Sequence, residues 1–144
     1  MTSDCREAAR RITHALGDLR PVAVAYLDGL PEGVAKFEGT VPSGCSFWSL
    51  AAQGRSFYTV PSDHFNCPIG SYTHGIDLPA ERTAELEQTL ALMTSVGYVR
   101  MEEVPSIPRL SRTPAFTYYA PLAATRIDPV PPAGLKVALG GKSE

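Results

Sequence analysis

Proline and glycine punctuate this chain so often that no long regular element fits. Thirteen prolines and 12 glycines fall among 144 residues, and the apolar runs stop at one or other of them. What remains between the breaks is a set of short strands and helices, the raw material of a small mixed fold. Pro21-Val-Ala-Val-Ala-Tyr-Leu27, closed by Asp28-Gly29, reads as an apolar strand buried on both faces. Ser56 to Val60 and Phe116 to Ala120 are further strands, and Tyr98 to Val104 alternates well enough for a fourth before Pro105 stops it. Val34 to Glu38 reads as an edge strand or a loop.

Three segments carry helical periodicity instead. Ser3 to Leu16 has Ala8, Ile12, Ala15 and Leu16 on one narrow stripe and Gly17 as its stop. Gly44 to Gln53 follows a capping Ser43 and ends at Gly54, which sets Cys45 in its first turn. Arg82 to Val96 places Leu86, Leu90, Met93 and Val96 inward and ends at Gly97. The expected architecture is α/β or α+β: a small mixed sheet flanked by these three helices, one domain over residues 1–123, then a Pro/Gly-rich extension over 124–144. Within that extension only Leu135 to Leu139 looks able to pair or dock.

The chain is long enough for one core and short for two. Its net charge of −2 lacks the basic footprint of a phosphate-tracking protein, so nucleic acid is not an expected partner. No apolar run approaches the length of a membrane span and no signal-like leader opens the chain, which points to a cytoplasmic protein without a membrane partner. Three cysteines are too few and uneven for a disulfide scaffold, so thiols or thiolate ligands are expected.

Chemistry concentrates between Ser43 and Gly75. This stretch holds Cys45 and Cys67, His64 and His74, and the single tryptophan, Trp48. The four Cys and His side chains form a soft donor set that suits zinc, copper or an iron–sulfur cluster, although only His64-x-x-Cys67 is closely spaced. Trp48 and Tyr72, with neighbouring rings, would wall a cofactor or flat ligand. Two other readings stand beside this one. Cys45, at a helix start, favours the thiolate and would act as a reactive thiol activated by His64 or His74. Alternatively the cysteines are only small packing hydrophobes in a ligand-binding or interaction module. His64 and His74 sit among turn residues, where a ligand would reach them, and Asp63 stands beside His64.

The order Pro21-Val-Ala-Val, Gly44-Cys45 entering Phe-Trp-Ser-Leu-Ala-Ala-Gln-Gly54, Ser56-Phe-Tyr-Thr, His64-Phe-Asn-Cys67-Pro-Ile-Gly70-Ser-Tyr-Thr-His-Gly75 and Ala120-Pro-Leu122 resembles the domain-of-unknown-function family numbered 169. Those are archaeal and bacterial proteins with recurrent cysteines. The resemblance runs from Pro21 to Leu122 and to the family's first half, which implies that a homodimer or a partner protein supplies the second half. On that reading the strand at Phe116 to Ala120 offers an unpaired edge. Independently, Cys45 and Cys67 should lie on the same side of the domain, because a single strand links the short helix to the following turn, and in a homodimer two protomers would together supply the four thiolates of a cluster.

Overall fold

The computed structural model describes residues 3–125. In chain order these form α1 (Ser3–Leu16), β1 (Val22–Leu27), α2 (Cys45–Ala52), β2 (Phe57–Thr59), α3 (Pro68–Thr73), α4 (Ala84–Ser95) and β3 (Phe116–Pro121). Short 3-10 turns at Pro61–His64, Ala80–Arg82, Met101–Ser106 and Leu122–Ala124 join them. The result is the expected mixed α/β fold. The proposed pairing segment at Leu135 to Leu139 lies outside the described residues.

The three strands lie in the order β1-β3-β2, antiparallel throughout. Lys36 adds an isolated parallel bridge to Tyr58, so the segment Val34 to Glu38 grazes the sheet edge without becoming a strand. β3 is therefore the central strand, not an open edge, and Thr117 to Ala120 are all buried. The edges belong to β1 and β2. An edge position explains why every residue of β1 is half-buried, where its unbroken apolar run predicts full burial on both faces.

Directly opposed residues of an antiparallel pair share a face. The register pairs Val22, Val24 and Tyr26 with Pro121, Tyr119 and Thr117, and Phe57 and Thr59 with Tyr119 and Thr117. All of these point to one side. Against that side α2 lays Phe47 and Ala51, which with Phe37, Val41, Phe57 and Tyr119 make the core. Phe47 meets Phe37 edge-on at 5.2 Å between ring centres and Tyr119 at 5.4 Å, while Phe57 stacks on Tyr119 at 5.3 Å. Rings of this size supply most of the apolar area that a small core can bury.

Two expectations fail for identifiable reasons. Tyr98 to Val104 is not a strand: the carboxylate of Glu103 accepts the backbone N–H of Arg100 at 3.2 Å and pairs with its guanidinium at 2.6 Å, closing a 3-10 turn. Tyr98 and Met101 stand 82% and 65% exposed, with no sheet for an alternating pattern to face. In α1 the apolar stripe points outward, Ile12 being 47% exposed, and the packed line is Cys5, Ala9 and Thr13 at i, i+4 and i+8. Among the described residues no helix is long and apolar enough to cross a membrane.

Candidate functional site

Between α2, α3 and the sheet lies a cluster of titratable side chains that the turns at Pro61–His64 and Pro68–Thr73 bring inward. Val60 enters the first turn extended, and Asp63 closes it by accepting the Val60 N–H at 2.8 Å. Asp63 also pairs with Lys36 at 3.5 Å. It is thus committed to the turn, and it does not orient His64 as their adjacency suggests. The turn throws the His64 ring under α2, where only 2% of the residue stays exposed and Phe47 lies 5.0 Å away between ring centres. His64 is a core residue, not the accessible loop histidine expected.

Its backbone then builds the next element. The His64 carbonyl accepts from Cys67 N at 3.0 Å and from the buried Ser71 hydroxyl at 2.7 Å, which ties the start of α3 to the turn before it. Pro68 occupies the first helical position, and Cys67 is the residue before the helix. At the far end His74 folds back on its own helix and donates from Nδ1 to the Gly70 carbonyl at 2.7 Å. The two imidazoles meet with centres 4.9 Å apart, and the Tyr26 ring approaches His74 edge-on at 5.5 Å.

The proton positions follow from the partners. A carbonyl can only accept, so His74 Nδ1 carries the hydrogen and Nε2 presents a lone pair. His64 Nε2 sits 2.8 Å from Thr59 Oγ1, whose own hydrogen is directed at the Thr117 carbonyl 3.5 Å away. Thr59 Oγ1 and His64 Nε2 share one hydrogen, and with that hydrogen on Nε2 the lone pair of His64 is on Nδ1. Neither His64 Nδ1 nor His74 Nε2, both buried, has a partner. Leaving such an atom unmatched costs about 1–3 kcal/mol, and the two rings that carry them have centres 4.9 Å apart.

Burial lowers the pKa of His64 to about 3, with the neighbouring His74 adding to the effect. Burial also lowers His74, against the raising influence of its bond to Gly70. Both rings are neutral at physiological pH. On the sheet, Tyr119 is pushed upward by burial first and then by Tyr26 and Cys67, and Tyr26 is raised by burial. Cys67 is tied to this cluster through its backbone N–H, which donates to the His64 carbonyl.

Cys67 also touches the start of α2. Its sulfur lies 3.9 Å from where a Cβ on Gly44 would be, an ordinary contact, and 2.8 Å from where one on Gly70 would be, so it is Gly70 that makes room for it. The structure thus brings Cys67, His64 and His74 to one region, with Cys45 at the same end as the first residue of α2. Cys45 itself is exposed, Cys67 partly buried. No hydrogen bond joins Cys45 to either histidine among the described residues. Trp48 is 50% exposed, and Tyr72 lies under Arg109; neither ring contacts the histidine pair. Among the described residues no group of three or more His, Cys, Asp or Glu side chains is assembled to hold a metal ion. Tyr26 and Tyr119, which complete the cluster, carry no sequence signal beyond being polar-tipped residues in apolar strands.

The profile of the family described as "Uncharacterised ArCR" (DUF169) matches residues 14–132. That is most of the chain, wider than Pro21 to Leu122, and the protein belongs to this family. No curated protein and no solved structure matches it.

Proposed function

We propose that this member of the uncharacterised ArCR family is a metal-binding protein that takes a single transition-metal ion between His64 and His74, with Cys67 as the third protein donor. The observation that carries the reading is the pair of buried imidazole nitrogens without a hydrogen-bond partner, His64 Nδ1 and His74 Nε2. Metal ligation requires neutral imidazole, and a buried neutral ring held by a hydrogen bond from its other nitrogen is how proteins prepare one. Thr59 and the Gly70 carbonyl supply those bonds. Two imidazoles bound to one tetrahedral ion at about 2.0–2.1 Å have ring centres about 5 Å apart; here the separation is 4.9 Å.

Cys67 is the soft donor three residues from His64 in the sequence. Its backbone N–H is bonded to the His64 carbonyl, and ligation would turn its sulfur away from its seat beside Gly70. The donor set His₂Cys suits zinc or copper and leaves a coordination position open. A cluster held by Cys45 and Cys67 fits less well, because Cys45 is exposed and two thiolates do not complete the four that clusters usually take.

Metal and acid-labile sulfide assays on anaerobically purified full-length protein, read with its ultraviolet–visible spectrum, test this. About one zinc or copper per chain without sulfide is expected. Sulfide with iron would overturn the single-ion reading in favour of a cluster, and no metal, with none taken up on addition, would overturn both.

A further inference from the structure

On the outer side of α3, away from the histidines, a second site is built around Arg109. The segment that carries it is fixed to the end of α3 at three points. Leu110 N donates to the Thr73 carbonyl at 2.9 Å, and the Thr113 hydroxyl donates to the Gly75 carbonyl. Gly75 has a φ of +69°, and a Cβ there would fall 2.8 Å from the Leu110 carbonyl, so the backbones touch where only glycine fits. Leu110 is buried, and this anchoring projects its neighbour Arg109 over the Tyr72 ring, with the guanidinium carbon 4.8 Å from the ring centre.

Arg109 borders a cleft of about 180 Å³ between α3 and α4, whose walls are Pro68, Tyr72, Leu78 and Leu86 with Asp77 at the rim. That is the room of about six water molecules at liquid density. The walls are mainly apolar, and the cation is underused. One guanidinium nitrogen donates to Asp77 at 2.7 Å, while Nε is buried without a partner. Asp77 is 90% exposed at the side chain, so its hold on Arg109 is open to competition from solvent and solutes. A planar guanidinium with spare donors, stacked on a ring at the end of an apolar slot, matches the carboxylate of a small organic acid whose body is apolar.

We propose that this cleft binds a small monocarboxylic acid, its carboxylate on Arg109 and its aliphatic or aromatic body against Pro68, Leu78 and Leu86. The bound acid replaces Asp77 as the partner of the guanidinium. Asp77 is then a competitor, and its removal strengthens binding, the opposite of what a purely structural ion pair would do.

Titration of the full-length protein with sodium benzoate at neutral pH, followed by two-dimensional amide NMR, tests this, with benzamide as the uncharged isostere. Expected are saturable shifts confined to Tyr72, Leu86, Arg109 and their neighbours with benzoate, and none that saturate with benzamide. Arg109→Gln should weaken benzoate at least about tenfold, the scale of a lost charged hydrogen bond, while Asp77→Asn tightens it several-fold. No saturable shift, an equal response to benzamide, or Asp77→Asn that leaves the affinity unchanged or weaker would overturn the proposal. Should Arg109→Gln disturb the fold, the exposed Asp77→Asn variant still decides the question.

Discussion

Neutral burial of His64 makes the stability of this domain fall steeply in mild acid, and the size of that fall can be worked out. In the unfolded chain His64 titrates near 6.5, and in the folded protein at about 3. Between those values the unfolded state holds a proton that the folded state refuses, so stability rises with pH there and is lost as pH drops from 6.5 toward 3. From pH 7 to pH 5, above the range where most carboxylates titrate, His64 alone removes about 2 kcal/mol. His74, also lowered, acts in the same direction. The clean comparison is His64→Gln, whose carboxamide can still meet Thr59 but cannot titrate. Urea unfolding of metal-free protein at pH 7, 6 and 5 should show the native chain losing about 2 kcal/mol more than the variant across that interval. Equal losses would mean that His64 is charged or solvated in the folded state, and the lone-pair reasoning for the site would fail with it.

Three further outcomes follow from the same geometry. Cys45, exposed at the start of α2, should react with a thiol reagent before Cys67, and zinc should protect Cys67 but not Cys45, as peptide mass spectrometry would show; protection of Cys45 alone would remove Cys67 from the donor set. Gly70→Ala would set a Cβ 2.8 Å from the Cys67 sulfur, so it should turn that sulfur and change the labelling rate of Cys67 several-fold; an unchanged rate would mean that the thiol is not seated over α3. Gly75→Ala forces a side chain into a left-handed φ of +69° against the Leu110 carbonyl, and denaturant unfolding should register a loss of at least about 2 kcal/mol; a loss near zero would show that the segment around Arg109 is not anchored there.

The elements legible in the sequence are those whose signal is local. β1 runs from Val22 to Leu27 as its bounding Pro21 and Asp28 indicate, and α2 runs from Cys45 to Ala52 before Gly54, although its N-cap is Gly44 and not the capping Ser43 expected, and no side chain caps it. Tyr98 to Val104 misleads because alternation there competes with a capping carboxylate three residues on, Glu103, and an exposed surface gives alternation nothing to face. The loading of residues 43–75 with Cys and His side chains points to the segment from which the proposed site is drawn. It does not reveal that the histidines are inside. That fact depends on Asp63 spending its carboxylate on Val60, on Thr59 lying opposite Thr117, and on β3 passing between β1 and β2, all of which are tertiary. Which of Cys45 and Cys67 is exposed is a tertiary outcome: Cys45 faces solvent, while the Cys67 sulfur is seated where Gly70 lacks a side chain.

The central claim is that two particular nitrogens, His64 Nδ1 and His74 Nε2, hold lone pairs and share one ion. Long-range proton–nitrogen correlation NMR of the imidazoles, recorded on the full-length protein at pH 7 before and after one equivalent of zinc, examines those atoms individually. Both should give the shift of an unprotonated ring nitrogen in the metal-free protein, and both should move together and stop moving at one equivalent, with His14 unaffected. A proton on either nitrogen before zinc, or two unmoved signals after it, would contradict the account.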